Sequence, residues 1–73
     1  MTRLPVLSAR ECLAALEKLG FYQLYQSGSH IILRRDTPRT TISIPNHREI
    51  RRGTLRAIIR QAGMTVEEFM DLL

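Results

Sequence analysis

Three β-rich runs, residues 21–26, 30–34 and 40–44, follow one another with gaps too short for a crossover connection. Parallel neighbours need a dozen or more intervening residues, so these runs can pair only as an antiparallel meander. Ser27 and Gly28 supply the first turn, and Pro38 lies where a tight turn accepts proline, between Thr37 and Arg39. The last run alternates, with Ile42 and Ile44 on one side and Thr41 and Ser43 on the other. That pattern marks a strand with one wet face, and Pro45 closes it.

The hydrophobic period changes on either side of the meander. Ser8-Ala9-Arg10-Glu11 is a capping box, in which hydroxyl and carboxylate each accept from the other residue's amide. Beyond it Ala9, Cys12, Leu13, Leu16 and Leu19 recur at helical spacing, and Gly20 can take the left-handed conformation that ends a helix. The spacing predicts a helix over 9–19, with Pro5 arguing against an earlier start. After a polar linker over 45–49, a second helix should begin near Arg52 or Gly53. Its buried stripe is Leu55, Ile58, Ile59 and Ala62, and Gly63 ends it. Thr65-Val66-Glu67-Glu68 is a second capping box, opening a short terminal helix that carries Val66, Phe69, Met70, Leu72 and Leu73. The expected fold is α+β in the order α-β-β-β-α, a three-stranded antiparallel sheet with helices on one face and a short C-terminal helix. It forms one domain over 1–73, near the lower size limit for an unaided core.

Charge narrows the partners. Ten arginines and one lysine stand against seven acids, for a net charge of +4. Between residues 34 and 60 lie Arg34, Arg35, Arg39, Arg48, Arg51, Arg52, Arg56 and Arg60, against only Asp36 and Glu49. Arg52, Arg56 and Arg60 are spaced four apart and form a ridge along the second helix, where the Gly53 and Thr54 amides can add a phosphate site. Guanidinium groups suit phosphate oxygens and stack on bases, so RNA is the expected ligand, although such a surface carries no sequence readout by itself. The plain alternative is a solubilising face.

Cys12 is the only cysteine, which leaves no internal disulfide and no thiolate metal site. Its place on the apolar stripe predicts a small buried hydrophobe. Residues 1–7 lack the apolar stretch of a signal peptide, and no run reaches the length of a membrane span. A cytoplasmic protein with no membrane contact is expected.

Gly28-Ser29-His30 hands the first turn over to the second strand. A histidine there can accept or donate a proton near neutral pH, or be an ordinary surface residue. If Ile31 and Leu33 pack against the helices, His30 projects from the open face with Arg34; the run Ile31-Ile32-Leu33 leaves either face available as core. Gly28 offers a place for a polymer backbone to approach. His47, the only other imidazole, should lie near one end of the sheet. Metal-free RNA cleavage needs a base and an acid, which two histidines can divide; the alternative for His47 is a loop residue capping backbone groups. Neither histidine has the neighbours of a metal ligand, so neither metal nor cofactor is expected.

Taken together, Gly28-Ser29-His30, the strand ending Ile44-Pro45-x-His47, and Glu49-Ile50-x-x-Gly53-Thr54-Leu55-x-x-Ile58-Ile59-x-Gln61-Ala62-Gly63 form a recognisable pattern. Over residues 8–63 it resembles the HicA toxins of bacterial toxin–antitoxin pairs. The resemblance implies a double-stranded-RNA-binding-domain-like fold, a ribosome-independent mRNA interferase and a cognate HicB antitoxin. It puts the catalytic histidine at His30. Family members often carry a second histidine where this chain has Ile31, and an arginine upstream where it has Tyr25. Gly28, Ser29, Arg34, Arg35, Arg52, Arg56 and Arg60 are the expected RNA contacts, with His47 as a second acid or base. The competing reading is a non-catalytic RNA-binding module on the same basic face. A helical DNA-binding protein fits less well, because the strands separate the helices and leave no helix-turn-helix.

Overall fold

The Ser8 hydroxyl accepts from the Glu11 amide at 3.1 Å, and the Glu11 carboxylate accepts from the Ser8 amide at 3.0 Å. In this computed structural model, which describes residues 4–73, that box opens helix α1 (Ala9–Glu17). The Ser8 backbone and then its hydroxyl hold Glu11 below the usual carboxylate range. A lowered carboxyl stabilises the cap above its unfolded pKa, and the contribution is lost as pH falls through the folded value. α1 stops two residues short of the predicted end: Lys18 caps it and Gly20 takes φ 92°. Leu19 packs from the turn instead, half-buried against the core.

Strands β1 (Tyr22–Ser27), β2 (His30–Asp36) and β3 (Arg39–Pro45) form an antiparallel sheet in the order β1-β2-β3. Helices α2 (Arg52–Gln61) and α3 (Val66–Met70) complete the expected α+β arrangement. Two-residue loops join the strands. Gly28 has φ 57° and a Cβ there would meet open space, so backbone handedness rather than crowding calls for glycine. β2 and β3 run further than predicted because Arg35 pairs with Thr40 and Asp36 with Arg39 up to the loop. Pro45 belongs to β3 as its last residue, where a missing amide costs least. Leu24 bulges out of β1 between Gln23 and Tyr25.

Ile31 and Leu33 of β2 are buried with Ile42 and Ile44 of β3, beneath Cys12 and Leu16 of α1, Leu55, Ile58 and Ile59 of α2, and Phe69 of α3. This settles which face is core: His30, Ile32 and Arg34 turn away from the helices. Several core residues come from outside the regular elements. Leu4 and Leu7 precede α1, and Ile50, in the linker, donates its amide to the Leu7 carbonyl at 2.7 Å. Phe21 precedes β1 rather than opening it, buried under the Arg35 guanidinium at 4.6 Å from the ring centroid.

Cys12 is fully buried, and desolvation pushes its thiol up to about 11. It should resist a disulfide reagent in the native protein at neutral pH and react within seconds once denatured. Rapid native labelling would contradict the packing described. Among the described residues, no helix is long and apolar enough to cross a membrane.

Candidate functional site

His30 is the first residue of β2, opposite Ser27 on one side and Pro45 on the other, and exposed. The loop before it is tied down: the Ser29 carbonyl accepts from the Asn46 amide at 2.7 Å. That bond turns the chain after β3 alongside the Gly28-Ser29 loop. His47 follows, its amide donating to the Pro45 carbonyl at 2.9 Å and its carbonyl accepting from the Ala9 amide at 3.0 Å. A residue between the sheet end and the start of α1 is thus held at both backbone groups, while its side chain stays exposed.

His30 and His47 line one cleft of about 710 Å³ with Ser43, Pro45, Glu49, Arg51 and Thr54. The polar floor follows from strand alternation, since Ser43 lies opposite Ile32 on the open face. The wall is the start of α2. Arg51 is its N-cap without a side-chain hydrogen bond, and no acid sits in the first turn. α1 and α3 both have capping boxes. Arg51 and Thr54 bring the N-terminus of α2, the positive end of the helix, and the Arg51 cation to the cleft that the two imidazoles line. Glu49 is the single acid in the lining. The cleft brings two imidazoles to a wall whose charge favours an anion.

The arginines separate into groups. Arg34 lies on the open face with its Nε 3.3 Å from Asp36, an ion pair by distance but without hydrogen-bond geometry. The Tyr22 hydroxyl donates to the same Asp36 oxygen at 2.9 Å, which raises the Tyr22 pKa. Arg35 points the other way. Its guanidinium donates to Pro38, Thr40 and the Ala62 carbonyl and covers Phe21, so it joins sheet to helix on the face away from His30. Odd-numbered positions of β2 face the core, and the charge count alone did not separate Arg35 from its neighbour. Arg52 donates to the Leu4 carbonyl at 2.8 Å and fastens the N-terminal segment. Arg56 and Arg60 stay exposed on α2 without lining the cleft, and Gly28 and Ser29 form the loop beside His30. Arg51, Ser43 and Glu49 were not singled out from sequence; Ser43 was findable from the Ile42 and Ile44 alternation, and Arg51 from its place just before the helix. Among the described residues, no three His, Cys, Asp or Glu side chains group as a metal-binding set.

A family model described as HicA toxin of bacterial toxin-antitoxin matches residues 9–64, most of the chain and all of the cleft. No curated protein and no solved structure matches it.

Proposed function

The chain belongs to the HicA toxin family of bacterial toxin–antitoxin systems, and from that membership we infer that it is a metal-independent endoribonuclease that cuts messenger RNA in the cleft shared by His30 and His47. The observation that carries this reading is that the only two imidazoles of the chain line a single cleft. His30 takes the proton from a ribose 2′-hydroxyl, and the freed oxygen attacks the adjacent phosphorus. The bond to the 5′-oxygen breaks, and His47 delivers a proton to that departing oxygen. The products are a 2′,3′-cyclic phosphate and a 5′-hydroxyl end. Arg51 and the first amides of α2 take the phosphate oxygens as negative charge builds on them.

Family membership also gives the protein a cognate antitoxin. We assign that partner to the HicB type and place it over the open face or the mouth of the cleft, where the arginines favour an acidic surface. Induced expression of the chain should stop growth and deplete full-length transcripts, and co-expression of the antitoxin should restore both. Growth arrest with transcripts intact would contradict the nuclease reading.

Arg34 enters as a phosphate contact held back by its neighbour. Replacing Asp36 with Asn releases the guanidinium from its ion pair, and RNA affinity should rise roughly two- to fivefold at low salt, as expected for an exposed pair. Unchanged affinity in a filter-binding titration would remove Arg34 from the interface.

A further inference from the structure

The proton chemistry proposed for the cleft makes no use of β1, yet β1 carries the most exposed aromatic surface of the described residues. Tyr25 is 54% exposed and Tyr22 39%. They are three residues apart, so regular alternation would send the two rings to opposite faces. The bulge at Leu24 changes this. Tyr22 lies opposite Arg34 and Tyr25 opposite Ile32, and directly opposed residues share a face. Both rings therefore stand on the open face with His30. The extra residue that re-aims Tyr25 is left 44% exposed itself.

The order along that face runs from the cleft outward. Ser27 is opposite His30, Tyr25 opposite Ile32 and Tyr22 opposite Arg34. Tyr25 is thus the diagonal neighbour of His30, at about 7–8 Å between backbones. Tyr22 is one step further, its ring fixed by the hydroxyl bond to Asp36. β3 adds Arg39, Thr41, Ser43 and Pro45 to this face, none of them a large apolar side chain. Arg34 and Arg39 flank the row with the charge that a phosphate backbone complements.

We propose that Tyr25 and Tyr22 form a stacking platform that holds two unpaired bases beside the cleft, which makes the substrate single-stranded RNA. The proposal rests on reading the cleft as an RNA site. Bases in an A-form duplex are stacked on each other and unavailable to side chains, whereas a single strand can lay successive bases on aromatic faces. The cut then falls next to the nucleotides held by the two tyrosines.

The test uses the His30→Ala protein, so that RNA survives, and fluorescence anisotropy with a short unstructured oligonucleotide and a hairpin duplex. Tyr25→Leu should weaken single-strand binding about tenfold or more, the loss typical of one stacked base, and leave duplex binding unchanged. Tyr25→Phe should retain the parent affinity, since stacking needs the ring and not the hydroxyl. Both substitutions sit at an exposed position, and the duplex titration checks that each variant is folded. Undiminished single-strand binding by Tyr25→Leu, or equal loss on both RNAs, would overturn the platform. So would a Tyr25→Leu protein that loses only antitoxin binding, which would make the face a protein contact. If the native chain cuts RNA while Tyr25→Leu binds normally, this inference alone fails; if the parent binds neither RNA, the functional reading fails with it.

Discussion

His30→Ala should bind RNA with nearly the parent affinity and cleave it about a hundred- to ten-thousandfold more slowly, the range lost with one general acid–base group. The side chain is exposed at the start of β2 and makes no hydrogen bond among the described residues. Its removal therefore leaves packing and the arginine field in place, and the effect falls on the rate. His47→Ala should also slow the reaction with affinity preserved, because its backbone bonds to Pro45 and Ala9 do not need the imidazole. A single-turnover assay at saturating protein separates rate from binding. Full activity in His30→Ala would remove the cleft from the chemistry. Full activity in His47→Ala alone would assign the second proton to water.

The largest loss of stability should come from Phe69→Ala. Phe69 is fully buried in α3, a helix of five residues that lies beyond the 9–64 segment matched to the family. Removing a buried phenylalanine typically costs about 3–5 kcal/mol through lost transfer energy and the cavity left behind. A domain of this size has a total stability of only about 5 kcal/mol or little more. The variant should be largely unfolded at 37 °C, seen as a lost or strongly lowered thermal transition by circular dichroism. Met70→Ala, at a half-buried neighbour, should melt much closer to the parent. A Phe69→Ala protein that melts within a few degrees of the parent would show α3 to be an accessory rather than part of the core.

Local chemistry made most of this architecture readable in advance. Both capping boxes form as Ser8-Glu11 and Thr65-Glu68 require, and the Leu55, Ile58, Ile59 and Ala62 stripe is buried throughout. The short gaps left the strands one way to pair. Periodicity has no purchase on single apolar residues in irregular chain, so the burial of Leu4, Leu7 and Ile50 was invisible until the isolated Leu7–Ile50 bridge appeared. The bulge was hidden for a related reason: nothing in Gln23-Leu24-Tyr25 announces which residue will be left unpaired, and the face of Tyr25 depends on it. At the cleft, His30 was legible from its turn and strand. Its proximity to His47 needed the Ser29–Asn46 hydrogen bond, a contact between backbones that no side-chain pattern encodes.

The decisive experiment is to incubate the purified chain with a long single-stranded RNA in EDTA and determine the ends it produces. Cleavage leaving 2′,3′-cyclic phosphate and 5′-hydroxyl ends, absent with His30→Ala, is the predicted result. Fragments ending in 3′-hydroxyl and 5′-phosphate, or cutting that appears only when Mg²⁺ is restored, would contradict a reaction run by two histidines on the substrate's own hydroxyl.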